Sequence, residues 1–191
     1  MKVRCKILLI LTWMIIILNG CTRKCEDFDN EILDWMPYKV NDKIELSSNS
    51  SSFETLTVSY SEINHSDKIP VMAKCMCENS FIISLSSDSL NITIFFENSN
   101  EIDQSWIHIN GEQMGYSEHL DNLEINGHRY ADLIIYEKNE LTLMIRFKKI
   151  IIAKSIGIIA ISEMNNEWRI VDDSKKQIEI SDIKSIKTGC S

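Results

Sequence analysis

His65, His108, His119 and His128 are the side chains best suited to proton transfer or metal ligation near neutral pH. Glu118 and Asp121 stand beside His119, a set that suits an oxygen-rich metal site, while His108 and His128 flank two Asn-Gly pairs. Nothing in the spacing brings three of these groups to one point, so they read as solvated histidines and not as a centre. Asp27-Phe28-Asp29-Asn30-Glu31 alternates acids as a calcium loop does, but the turn glycine and the closing bidentate glutamate are missing. Adjacent residues of a strand point to opposite faces, so Asp172-Asp173 is expected in a turn and not as a carboxylate pair. The chain has no G-x-S-x-G elbow, H-E-x-x-H pair, phosphate-binding glycine loop or C-x₂-C pair. On this reading it is not an enzyme, and neither a metal nor a cofactor is expected. Trp106, Tyr116, Tyr130, Tyr136 and Trp168 fall in or beside expected strands. There they can stack on a sugar or line an apolar cleft, although filling a core is the commoner use.

The N-terminus carries a different signal. Lys2, Arg4 and Lys6 precede an apolar run over 7–18, broken only by Thr12, and Asn19-Gly20-Cys21 follow. Twelve residues rise only about 18 Å as a helix, short of a hydrocarbon core about 30 Å thick. A basic start, a short apolar stretch and small residues after it are the parts of an export signal.

Leu18-Asn19-Gly20-Cys21 resembles the lipobox of bacterial lipoproteins. The resemblance implies cleavage after Gly20, lipid on the Cys21 thiol, acylation (palmitate or similar) of the new amine, and a place in the cell envelope on the outer membrane. Two or more acyl chains, at about 0.8 kcal/mol per buried CH₂, hold a protein stably on a bilayer. The expected division is residues 1–20 as a cleaved leader, 21–40 as tether and short helix, and 41–191 as one β domain. Loss of Lys2, Arg4 and Lys6 moves the net charge from −8 to −11. A folded body this acidic is not expected to bind nucleic acid or an anionic membrane surface.

Of six cysteines, Cys5 leaves with the leader and Cys21 takes the lipid, so Cys25, Cys75, Cys77 and Cys190 remain. An even number in an exported chain favours disulfides over free thiols, and four cysteines allow three pairings. Cys75 and Cys77 are too close along one strand to pair with each other without strain, so distant partners, Cys25 and Cys190, are expected. A four-thiolate zinc site is the rival, but Cys75-Met76-Cys77 is one residue too tight and no second pair exists.

The stretch 26–36 reads as a helix. Phe28, Ile32 and Trp35 or Met36 share a face, Asp27, Asp29 and Glu31 load the first turn, and Pro37 ends it. From Lys43 onward the pattern is strand after strand, with 53–60, 71–77, 81–85 and 90–96 apolar or alternating. Leu90, Ile92, Ile94 and Phe96 fall on one face; Phe95 shares the other with Asn91, Thr93 and Glu97. Asn110-Gly111 and Asn126-Gly127, each between apolar alternations, predict two type I′ hairpins of one sheet. The runs 141–147, 150–153 and 156–161 are apolar enough for central strands covered on both faces, with Gly157 marking a bulge or a close backbone approach. Asn165-Asn166 turns the chain toward Trp168, and Ile178, Ile180 and Ile183 are expected to close the sheet. The fold class is mainly β: a single antiparallel, curved multi-stranded sheet, sandwich or half-barrel, with one short N-terminal helix.

The stretches 125–133, 152–159 and 167–170 together resemble small uncharacterised lipoproteins of Bacteroides-type bacteria, which implies a curved antiparallel sheet and no catalytic residues. Asp88-Ser89-Leu90 is similar to the O-glycosylation pattern of such bacteria and makes Ser89 a candidate acceptor. The functional expectation is a lipid-tethered, non-catalytic module that binds an unknown protein or a glycan. The alternative is a carrier holding a lipid or other apolar ligand in a concave sheet, and a hydrolase with an unrecognised site is third.

Overall fold

Period-two alternation from Lys43 onward produces strands with one apolar face, and such strands are stable only when that face is turned inward and the edges are paired. A computed structural model describes residues 30–71, 74–97, 105–138, 146–174 and 183–188. It holds a 3₁₀ helix, Asn30–Trp35, and eleven strands: β1 Lys43–Ser48, β2 Phe53–Val71, β3 Lys74–Ser86, β4 Asn91–Glu97, β5 Trp106–Ile109, β6 Glu112–Ile125, β7 His128–Glu137, β8 Phe147–Ala153, β9 Gly157–Glu163, β10 Glu167–Ile170 and β11 Lys184–Thr188. Consecutive strands from β2 to β10 pair antiparallel, and β1 pairs antiparallel with both β2 and β10. Ten antiparallel strands therefore form a closed ring, an up-and-down barrel. The mainly antiparallel, strongly curved sheet is the expected one, and it closes completely instead of stopping at a half-barrel. Closure removes the open edges that a half-barrel would leave to solvent.

A barrel widens with strand number, and eight strands already enclose about what strand side chains alone can fill. Here the additional interior is occupied by the segment that precedes β1. Leu33, Trp35, Met36 and Tyr38, all buried, join Ile44, Leu56, Phe81, Ile94, Ile107, Tyr136 and Ile158 in one cluster. The helix plugs the barrel at the β8–β9 turn, where the Ser155 amide donates to the Asp34 carbonyl and Lys154 faces Glu31 at 4.0 Å. It is a six-residue 3₁₀ helix and not the α-helix expected over 26–36, of which 26–29 lie outside the described residues. Ile32, Leu33, Trp35 and Met36 are all buried while Glu31 is exposed, so at three residues per turn two of the three faces are packed, a wider burial than the one-sided stripe of a surface helix.

Tyr38 ties the plug to the wall. Its hydroxyl accepts the Ile158 amide at 2.9 Å, and burial pushes its pKa well above the usual tyrosine value. The ring lies where a β-carbon on Gly157 would be, and Gly157 itself has φ +92°. The close approach expected at Gly157 is thus to Tyr38.

Both Asn-Gly turns have the predicted conformation, with φ of 50° and 83° at Asn110-Gly111 and 52° and 81° at Asn126-Gly127. Residues 133–136 of β7, 150–153 of β8 and 157–161 of β9 are buried on both faces, as the composition of 150–153 and 156–161 requires, while 141–145 lie outside the described residues. Their outer face joins a second cluster, containing Leu133, Ile135, Ile151, Ala153 and Ile159, against which Leu120, Leu123 and Ile125 of the long β6–β7 hairpin pack. The hairpin tip is held by Asp173, which faces His128 at 3.4 Å and hydrogen bonds with Tyr130.

Two expectations need correction. The run 71–77 is not one strand: Val71 ends β2, Lys74 begins β3, and the two residues pair with each other. An apolar run alone carries no mark of the reversal within it. The sheet is closed by β1 and not by the C-terminal residues: β11 adds outside the ring, parallel to β2, from Lys184 opposite Glu62 to Thr188 opposite Ser66. Ile178 and Ile180 lie outside the described residues, and Ile183 is buried just before β11.

Lys184 also reaches Glu62 at 2.8 Å, and Glu62 is almost fully buried. The Lys184 ammonium first, then the Tyr60 hydroxyl, hold the Glu62 carboxyl below its usual range. The folded pKa lies below the unfolded value of about 4.3, so the contribution is complete above that pH and fades as pH falls through the folded value. Hydrogen exchange at the amides of β11 should therefore accelerate, beyond its intrinsic pH dependence, below about pH 4. Lys184→Met should flatten that response, and unchanged protection in acid would contradict the role given to this pair.

Candidate functional site

The inward faces of the strands are consumed by the core, so chemistry available to a partner must come from the outward faces. On β4 and β5, Ile92, Ile94, Phe96, Ile107 and Ile109 point inward and are fully buried or nearly so. Alternation then sends Phe95, Trp106 and His108 outward, where each is partly exposed. Phe95 and Trp106 are register partners, with ring centroids 4.7 Å apart and planes 15° from parallel. His108, two residues along the same strand, lies 4.7 Å from Trp106 at 40°.

The row continues across the sheet. Trp106 pairs with Gly115, Gly115 with Glu137, and Glu137 with Lys149. A β-carbon built on Gly115 would have nothing within 4 Å. Above β6 there is thus an open recess between the indole on one side and a carboxylate on the other. Glu137 receives Lys149 at 2.7 Å and the Ser117 hydroxyl at 3.2 Å, and the Lys149 contact chiefly keeps its carboxyl below the usual range. Glu137 is therefore ionised near neutral pH, with its charge balanced locally by Lys149.

Of the five aromatics singled out in the sequence, Tyr130, Tyr136 and Trp168 are buried. Tyr116 packs edge-on to Tyr136 at 6.5 Å, and the Tyr136 hydroxyl bonds with that of Ser105. Only Trp106 of the five is part of an outward cluster. Its partner Phe95 was visible in the sequence as the one aromatic on the polar face of β4. Gly115 carried no such signal, because it sits in neither an Asn-Gly turn nor a glycine motif.

The histidines are dispersed. His119 is exposed on β6 and lies edge-on to Trp35 at 5.8 Å; His65 is placed in β2 opposite Asn79. Among the described residues no three His, Cys, Asp or Glu side chains gather as a metal site would require. Asp172 accepts the Ser174 amide at 3.0 Å in an Asx-type turn, as its position suggested. Cys75 and Cys77 lie in β3, opposite Pro70 and Asp67 of β2. Cys21, Cys25 and Cys190 lie outside the described residues.

Ser89 occupies the exposed β3–β4 turn. Its hydroxyl donates to Glu54 at 2.9 Å, and the Ser87 hydroxyl bonds with the same carboxylate oxygen. A sugar on Ser89 would replace that donor hydrogen, leaving the Ser87 hydroxyl and the Ser89 amide to hold Glu54. Beside this turn an open, mainly polar cleft of about 580 Å³ is lined by Phe53, Glu54, Thr55, Thr57 and Ser86 to Asp88.

Fold and surface together define a closed ten-stranded up-and-down barrel, plugged by its own N-terminal segment and carrying an outward aromatic row. No family model, no curated protein and no solved structure matches the chain.

Proposed function

We propose that this protein is a lipid-tethered binding module of the bacterial cell envelope, and that the outer surface around Trp106 is where it meets its ligand. One observation carries the reading: Phe95 stacks on Trp106, with His108 tilted against the indole, outside a barrel whose interior is already filled by the protein's own side chains. The filled interior weighs against the carrier alternative, since the concave face is packed on Leu33, Trp35, Met36 and Tyr38. The leader and Leu18-Asn19-Gly20-Cys21 support the tether. Eight residues separate Cys21 from Asn30, and the nine Cα steps between them reach at most about 32 Å. The plugged end of the barrel would then face the bilayer, with no nucleic acid involved and no catalysis required.

Two measurements test this. Mass spectrometry of the membrane fraction should find acylated Cys21 at the N-terminus, and Cys21→Ser should release the protein from membranes; an intact Met1 or a free Cys21 thiol would refute the tether. Trp35 and Trp168 are 4% and 8% exposed, so among the described residues Trp106 is the tryptophan that solvent reaches. Acrylamide should quench a component of the emission that Trp106→Phe removes. An indole beyond the quencher's reach would mean the surface is covered, and the binding reading would fall.

A further inference from the structure

We infer that the recess over Gly115, between Trp106 and Glu137, is a site for a neutral pyranose, one sugar residue of a glycan. The inference rests on the binding-module reading and names the ligand class of that same surface. Trp106, Gly115 and Glu137 are consecutive register partners on β5, β6 and β7. Neighbouring strands lie about 4.8 Å apart, so the backbones bearing Trp106 and Glu137 are separated by about 10 Å. With no side chain on Gly115, that interval is open and wide enough for a single six-membered ring.

The chemistry of the walls selects the ring. An indole offers an extended, weakly negative surface against which the axial C–H groups of a sugar can lie. Opposite it, the Glu137 carboxylate has acceptor capacity beyond the Lys149 and Ser117 contacts, and sugar hydroxyls are the natural donors for it. Gln113, exposed in the adjacent row opposite His108, supplies both a donor and an acceptor at the rim. A flat hydrocarbon or aromatic ligand would use the indole but leave these polar groups without partners. Charge narrows the class further. Glu137 and Lys149 neutralise each other, so the recess has no unbalanced charge to attract an ionic ligand, and the acidic chain as a whole repels anions. A neutral, hydroxyl-rich ring answers both the apolar wall and the polar rim.

The test uses the lipidated protein in a detergent that contains no sugar, titrated with neutral gluco-, manno- and galacto-oligosaccharides and with a polyuronate while tryptophan emission is followed. At least one neutral oligosaccharide should shift the emission saturably, and Trp106→Ala should weaken its binding at least tenfold by calorimetry. Gly115→Val is the sharper variant. The added side chain enters open space, φ at this position is not positive, and valine suits a strand, so the thermal midpoint should be unchanged while binding is lost. Full binding by a folded Gly115→Val protein would overturn the site, and a polyuronate bound more tightly than every neutral sugar would overturn the ligand class. If no neutral oligosaccharide binds while acrylamide still quenches Trp106, the sugar inference fails and the binding-module reading stands. A Trp106 that cannot be quenched removes both.

Discussion

Gly157→Ala should destabilise the barrel by about 2–5 kcal/mol, among the largest effects available from adding one carbon. Two costs combine. The backbone at φ +92° is a conformation that an L-residue adopts at about 1–2 kcal/mol. The new β-carbon would lie 2.1 Å from the Tyr38 hydroxyl oxygen and 2.3 Å from the ring carbon that bears it, so the ring must move. Overpacking of a closed core costs about 1–3 kcal/mol. Displacing the ring would also break the bond from the Ile158 amide to the Tyr38 hydroxyl, leaving a buried donor without its acceptor. Urea unfolding of the single variants Gly157→Ala and Tyr38→Ala and of the double variant checks the mechanism. With the ring gone, the added methyl should cost only the backbone term, so the double variant should lose less than the sum of the singles. Strict additivity would show that the contact is not what makes alanine costly.

Trp35→Ala should cost about 3–5 kcal/mol, as expected for deleting a large aromatic from a core that cannot collapse around the gap. A six-residue 3₁₀ helix has little stability of its own, and one lying on the surface would tolerate the change for under about 1 kcal/mol. Trp35 is 4% exposed and belongs to the same cluster as residues from strands around the barrel, so its loss should be felt by the whole sheet. The expected observation is a lower midpoint in guanidinium with single, coincident transitions by fluorescence and circular dichroism. Unfolding of the helix alone, with the sheet transition unmoved, would show that the plug is an appendage. His119, edge-on to Trp35 from β6, reports the same event through its ring resonances in a nuclear magnetic resonance spectrum.

Gly115 and Gly157 make a useful pair. Both lie in strands, yet one faces open space and the other faces a tyrosine ring. The apolar run around Gly157 marked it for a close approach, but nothing around Gly115 marked it as a glycine that leaves a surface open. The same holds for the aromatics: Tyr136 and Trp168 look in sequence much like Trp106, but the first two are buried and Trp106 stacks on the outside.

Local rules were enough for the elements whose causes are local. The two Asn-Gly turns follow from the tolerance of asparagine and glycine for positive φ, and both are present. Alternation in 90–96 assigned Ile92, Ile94 and Phe96 to the buried face of β4 and left Phe95 outside. The apolar density of 150–161 required two covered faces, and β8 and β9 have them. Pairing between distant segments decided the rest. Whether a curved sheet stays open or closes depends on β1 meeting both β2 and β10, and no residue in 43–48 specifies that join. The parallel docking of β11 depends on β2 extending past the span paired with β1, and the polar stretch from Ser61 to Asp67 gave no hint of so long a strand. The recess over Gly115 exists only because three strands place Trp106, Gly115 and Glu137 in one row, 31 residues apart from end to end along the chain. Periodicity tells each strand which face to bury, whereas register between strands tells each side chain what it will stand beside.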